Sequence, residues 1–431
     1  MADIATFRGL RYDPSRIPAD EVVCGPYDVI GLAEAVALRD RSPYAAIHLE
    51  LPEPRIGADP GDRYPAAADL LAAWRAEAVL VRDDDPALYL VEHTFTGPDG
   101  WERTRRGFVC LLTLEDFDKR VVLPHEKTHK GPKEDRLKLM RATHANLSQI
   151  FMLYGDPGNE VGAALAAAPP PLAPPLKVPD RDGNFCQFWP LTGPTVDRIV
   201  ELLAGRPVII ADGHHRYETA LAYRDERRAA GDHSADRVMV FLSSMNDPGL
   251  AIFPTHRLLL GLDLPPSDVV VERLRQHFTV FPEEGSGGGA CNLMMNHVAT
   301  LGGGNKVFGL YFPEEERCVT VELRDMAAMT HLTERGFSPE SARLSVTILD
   351  ELIFRDALGL DPDALEGHIS FVKSVDDAVA AIDEGGCSMA AFLNATLMEE
   401  VRAVAARGEV MPQKSTYFYP KLLTGLVFHQ M

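Results

Sequence analysis

The sequence predicts an α/β or α+β fold with mixed sheets, and three observations predict it. Strand and helix patterns alternate, most plainly over residues 369–407, where strand, helix, strand and helix succeed one another. Two hairpin signatures stand at residues 88–114 and 306–323. A short apolar strand at 207–211 runs directly into a helix at 214–230, and a further strand follows at 237–243. Neither an all-helical nor an all-β chain carries this rhythm. No internal repeat is present.

Taken in order, the Ala-rich residues 66–80 read as helix. Residues 88–95 alternate as a strand, Gly97-Pro98-Asp99-Gly100 is a turn, and 107–114 returns. Residues 169–179 hold six prolines in eleven positions, which excludes helix interior and central strand. That stretch reads as an extended connector. The expected division is an N-terminal α/β region at 1–165, a Pro-rich connector at 166–190 and a C-terminal α/β region at 191–431, both regions contributing to one site. In the 214–230 helix Tyr217, Ala220 and Leu221 give apolar i, i+3, i+4 spacing, Asp225 to Arg228 face water, and Gly231 closes it. Gly285 to Gly289 and Gly302 to Gly304 read as loop tips, because neither leads into the Lys-Ser/Thr of a P-loop. Ser338-Pro339 starts a helix expected to run to about Gly359, with Ser as N-cap and Pro at the first helical position.

Composition narrows the function. The 431 residues, 46% hydrophobic and 25% charged, are those of a globular protein. A formal net charge of −20 argues against broad binding to nucleic acid or to an anionic membrane, while leaving room for a small basic pocket. The six scattered cysteines form neither a disulfide framework nor a zinc ribbon, and read as buried thiols. Without a signal-peptide core at the N-terminus or an apolar stretch of ~20 residues, the expected location is the cytoplasm.

Three constellations carry chemistry. The first is Asp212-Gly213-His214-His215-Arg216, between an apolar strand and a helix. A helix start leaves amides without intrahelical partners and favours negative charge. Gly213 permits a sharp turn and close approach of a ligand. Capping alone explains Asp212 but not His214, His215 and Arg216, cations set against the helix dipole, and such conflicts mark functional sites. The second is the charged run from Pro124 to Arg136, with Glu126 among His125, Lys127, His129, Lys130 and Arg136. It reads as a phosphate-contacting loop or as a solvated one. It also spells H-E-x-x-H, the zinc-protease pattern, although Pro124 and Gly131-Pro132 leave little room for the helix that pattern needs. The third is Lys414-Ser415-Thr416 with Lys421, donors suited to an anion or simply part of a docked strand. Pro26-Tyr27-Asp28 is a turn that offers Asp28 as a reserve carboxylate.

These residues carry a resemblance. Gly25-Pro26-Tyr27-Asp28-Val29-Ile30, Tyr44-Ala45-Ala46-Ile47-His48-Leu49, His125-Glu126-Lys127-Thr128, residues 211–220 and residues 411–418 are similar to the bacterial and archaeal group catalogued as domain of unknown function 1015. More distantly, Asp212-Gly213-His214-His215-Arg216 resembles the phosphate-binding turn of the ParB/sulfiredoxin-like superfamily, which includes free-serine kinases, partition proteins and a sulfinic-acid reductase. That likeness implies a β-α phosphate-binding core and a site in which Asp212 takes part in catalysis.

The leading expectation is phosphoryl transfer on a small hydroxylated metabolite, L-serine and O-phosphoserine first, or the reverse phosphatase reaction. Pyrophosphate, ADP or ATP would be the donor and Mg²⁺ the accompanying ion. Asp212, Glu126, His214 and His215 are the expected catalytic groups, with Glu126 as base. Gly213, Arg216, His125, Lys127, Lys130, Arg136, Lys414, Ser415, Thr416 and Lys421 would bind phosphate and substrate. The alternatives are a nucleotide-responsive module without turnover and a zinc hydrolase built on His125, Glu126 and His129. The partner expected is a small phosphate-containing ligand, with no nucleic acid and no membrane.

Overall fold

The computed structural model describes residues 2–97, 99–126, 130–169, 175–285, 287–302, 304–324 and 327–431. The chain divides into two compact units. The first comprises Met1–Pro124, Thr128–Ala251 and Tyr419–Met431, and the second His125–Lys127 and Ile252–Phe418.

The first unit is built on a nine-stranded mixed sheet. Its path runs Val122–Leu123, Val208–Asp212, Ile150–Tyr154, Arg237–Ser244, Glu102–Thr113, Leu88–Thr96, Phe185–Leu191 and Leu176–Pro179, with Ile4–Ala5 paired to Glu102–Thr113. Val208–Asp212 lies parallel to Val122–Leu123 and antiparallel to Ile150–Tyr154. The predicted hairpin is present, pairing Tyr89 with Val109 and Thr96 with Glu102. One sheet face carries Leu90, Phe108, Met152, Ile210 and Val240, which pack with Val196, Ile199 and Leu203 of the Pro194–Leu203 helix and with Tyr217 and Ala220 of the His214–Ala229 helix.

The expected division at 166–190 is corrected. Residues 176–179 and 185–191 are not connector but the last two strands of this sheet, and residues 191–251 share its core with the N-terminal region. The strand Leu176–Pro179 lies at the sheet edge, where a proline is tolerated, and Pro179 is in register with Phe185. Residues 170–174 lie outside the described residues.

The second unit is a six-stranded antiparallel sheet in the order Phe278–Pro282, Arg317–Leu323, Val307–Phe312, Cys387–Leu393, His256–Leu260 and Ile369–Val372. The helices Gly287–Leu301 and Val375–Asp383 bury Ala290, Cys291, Met294 and Ala378 against it. Gly287, Gly288 and Gly289, expected in a loop tip, form the first turn of that helix, so apolar packing further along overrides their poor helix propensity. Ser338 caps a helix as predicted, its hydroxyl accepting from the Ser341 amide at 3.1 Å. The run to Gly359 is broken at Leu344, whose extended backbone (ψ 132°) separates Pro339–Ala342 from Ser345–Ile348, and it ends as the π-helix Leu349–Leu358. All six cysteines are buried and unbridged. Among the described residues, no helix is long and apolar enough to cross a membrane.

Candidate active site

The turn after Val208–Asp212 is where the first unit gathers charge. Gly213 takes φ +95°, a conformation that side-chain-bearing residues rarely adopt, and the His214–Ala229 helix begins at the next residue. A Cβ on Gly213 would lie 2.9 Å from Arg216 Nε, so the bare glycine lets the Arg216 guanidinium fold back against the turn. Arg216 donates to an Asp212 carboxylate oxygen at 2.8 Å and to the Gln149 carbonyl. Lys421 donates to the other Asp212 oxygen. One carboxylate thus holds two cations from residues 209 and 4 positions away in sequence. Burial by itself would raise the Asp212 titration, but the charges of Lys421 and Arg216 and the Lys421 hydrogen bond hold it far below the usual carboxylate range. His214 is buried beside this carboxylate and adds to the same effect, while His215 is half-buried.

Further residues close around Arg216. Tyr27, Asp28 and Glu50 lie near enough to act on its charge. Arg136 stacks over the Tyr27 ring at 4.4 Å, donates to the Glu50 carbonyl at 2.7 Å and pairs with Asp135. Ser148 donates to Glu50 at 2.9 Å. Burial pushes the Tyr27 hydroxyl up to about 12. Glu50, Arg136, Ser148 and Arg216 line a hollow of about 40 Å³, enough for water but not for a metabolite. The structure therefore brings the Tyr27-Asp28 turn, Arg136 and Lys421 to the Asp212 turn, all within the first unit.

Sequence reasoning missed Arg105. This residue is fully buried on Glu102–Thr113, and among the described residues its Nε and both Nη atoms have no hydrogen-bond partner. Its guanidinium lies 4.7 Å over Phe151 and 5.5 Å over Phe241. Asp212 is paired with Phe151, Phe151 with Phe241, and Phe241 with Val109, four residues on from Arg105. Side chains alternate along a strand and pairs share a face, so Asp212, Phe151, Phe241 and Arg105 occupy one face of the sheet. Burial draws the Arg105 guanidinium down to about 10, against the opposing influence of Cys186, Asp247 and Asp212. A buried guanidinium set against aromatic faces is an unusual state that the strand's run of charges, Glu102-Arg103-Thr104-Arg105-Arg106, conceals in sequence.

In the second unit His125 is fully buried, with its Nε2 2.9 Å from the Thr416 hydroxyl. Glu126 pairs in a parallel bridge with Met411 and accepts the Lys414 amide at 3.2 Å. Lys414 is exposed, with φ +55°, and its carbonyl accepts from the buried Arg257 at 3.2 Å. Ser415 is buried, donating to the Pro412 carbonyl, and its own carbonyl accepts from Thr396 at 2.7 Å. The second and third constellations thus meet each other. The zinc-hydrolase alternative on His125, Glu126 and His129 falls partly outside the described residues: Glu126 pairs in a bridge with Met411, whereas His129 is not among the residues described. Lys127 and His129 lie outside the described residues, as does the Lys130 side chain.

The chain belongs to the family described as Protein of unknown function (DUF1015), whose model matches residues 4–350. Among solved structures it is similar to a conserved hypothetical protein from Pyrococcus furiosus, at 15% identity over 72% of this chain and 90% of that one, with a TM-score of 0.33. A free serine kinase variant in complex with ADP matches at 15% identity over 72% and 87%, TM-score 0.35. SbnI with a C-terminal truncation, from Staphylococcus aureus, matches at 12% identity over 74% and 86%, TM-score 0.32. No curated protein matches the chain. At these identities and scores the structural likenesses say nothing of this chain's substrate.

Proposed function

We propose that this protein transfers a phosphoryl group to or from a small hydroxylated metabolite, with L-serine and O-phosphoserine the first pair to test. The observation that carries the reading is the Asp212 turn: one half-buried carboxylate fixing Lys421 and Arg216 where a helix begins. Phosphoryl transfer is mostly positioning and charge neutralisation, and cations held in place by a fixed carboxylate suit it. The first-turn amides, Arg216 and Lys421 would take the donor phosphates, with His214 and His215 beside them. Arg105, on the same sheet face, would take a further anionic group of donor or substrate.

An aspartate held so far below its ordinary range is a poor proton acceptor, so Asp212 serves this reading as the group that positions its two cations. Exposed Asp28, near enough to act on Arg216, is the proton acceptor this reading proposes; Glu126, first expected in that role, belongs to the second unit. Mg²⁺ requires oxygen ligands. With Asp212 committed to two cations, phosphate oxygens and water would supply them. The donor would be pyrophosphate, ADP or ATP.

The test is incubation with serine and Mg²⁺, separately with pyrophosphate, ADP and ATP, and the reverse reaction from phosphoserine. Formation of phosphoserine, or release of serine from it, supports the reading. No turnover with any donor in either direction overturns the serine assignment. The commitment of Asp212 to ion pairs favours, as a second reading, a nucleotide-responsive module without turnover. That reading expects saturable nucleotide binding without consumption, retained in Asp212→Asn.

A further inference from the structure

Far along the chain from the Asp212 turn, the second unit assembles a different set of ligands. His277 precedes the Phe278–Pro282 strand, His331 lies on the Ala327–Glu334 helix, and Asp356 lies on the π-helix Leu349–Leu358. One donor atom from each residue comes within 4.8 Å of the other two, and all three residues are partly exposed. We infer that His277, His331 and Asp356 hold one divalent transition-metal ion of the zinc type, with water completing the coordination.

Geometry and chemistry converge on that class of ion. His331 Nε2 lies 3.5 Å from Asp356 Oδ2. A tetrahedral ion with ~2.1 Å bonds separates neighbouring ligand atoms by about 3.4 Å, so this pair already stands at the edge length of the site. The His277 and His331 rings are nearly parallel, 18° apart with centroids at 5.7 Å, and bring two imidazoles to the same side. Arg335 donates to the other Asp356 oxygen at 2.7 Å and to Glu351 at 2.9 Å. It thereby fixes the carboxylate from behind, as supporting groups do around metal ligands. The π-helix is an independent sign: it is rare, it changes the direction of the side chains along it, and it concentrates at functional sites. Two imidazoles and one carboxylate suit zinc, nickel or cobalt, whereas calcium and magnesium take oxygen ligands throughout.

The test uses the full chain, stripped with a chelator and dialysed. Titration with Zn²⁺ by calorimetry is expected to give one equivalent, and Zn²⁺ but not Mg²⁺ or Ca²⁺ raises the thermal midpoint. Co²⁺ is expected to give visible ligand-field bands with no thiolate charge transfer. His331→Gln and Asp356→Asn lose the Zn²⁺ site. Arg335→Gln weakens it by ~10–100-fold. His297→Ala, at a histidine paired elsewhere with Glu283, leaves it intact. The inference is overturned by absence of stoichiometric Zn²⁺ binding, by a thiolate band in the Co²⁺ spectrum, or by unchanged binding in both His331→Gln and Asp356→Asn. The Co²⁺ spectrum is read on the wild-type chain and decides the matter even where a variant fails to fold.

Discussion

Replacing Arg105 with methionine separates a structural role from an anion-binding one. Burial draws the guanidinium well below its ordinary value, down to about 10. At ~1.4 kcal/mol per pH unit this is a penalty of about 3 kcal/mol on the charged form in the folded state. The folded value is the lower one, so near pH 7.5 Arg105 is charged whether the chain is folded or unfolded, and the whole penalty is present. It is relieved only as pH rises above about 10 towards the ordinary guanidinium range. Methionine keeps much of the volume between Phe151 and Phe241 and gains a sulfur–aromatic contact, but forfeits a cation–π term of ~1–2 kcal/mol. The net expectation for Arg105→Met is a gain of about 1–2 kcal/mol in urea unfolding of the ligand-free protein. Added phosphate or pyrophosphate then protects the wild type, through preferential binding to the folded state, but not the variant. Two results refute the reasoning: a variant less stable than wild type without anion, or equal protection of both proteins by the anion.

Asp212→Asn leaves Lys421 and Arg216 without their shared carboxylate and is expected to cost ~3 kcal/mol of stability at pH 7.5, read by urea unfolding. Because the folded Asp212 titrates below its unfolded value, its contribution is full above about pH 4. It declines as the wild type is acidified through the depressed range, and the gap to the variant narrows there. Gly213→Ala combines a left-handed backbone with a Cβ 2.9 Å from Arg216 Nε, so a loss of roughly 1–2 kcal/mol is expected. Calorimetry should show weakened pyrophosphate binding in the same variant, as the guanidinium is displaced. Asp28→Asn is expected to lower phosphoserine formation by ~10²-fold or more with phosphate binding retained, and unchanged formation removes Asp28 from the role of base.

The Asp212 turn was legible because its parts are contiguous: strand, glycine, helix start, and cations where a dipole disfavours them. The hairpin of Leu88–Thr96 with Glu102–Thr113 was legible for the same reason, since alternation and a turn signal are local. Lys421 was on the page as a candidate, but its pairing with Asp212 is a tertiary contact that no spacing encodes. Arg105 was hidden because a strand end with four charges in five residues reads as solvated, and only the pairing of neighbouring strands turns one of them inward. His277, His331 and Asp356 sit 54 and 25 positions apart, beyond any ligand motif. The proline run misled because proline is excluded from central strands, whereas Leu176–Pro179 is an edge strand. The Gly287–Gly289 turn misled because propensity is local and packing is not.

The first unit is stitched from three stretches of chain, and the last of them, Tyr419–Met431, brings the lysine that pins Asp212. During synthesis the loop after Val208–Asp212 leaves the ribosome some two hundred residues before that lysine does. Until then Asp212 has Arg216 but not Lys421 beside it, and fragments that stop short of residue 421 carry the glycine turn without its second cation. Completion of the cradle is thereby reserved for chains translated past residue 421.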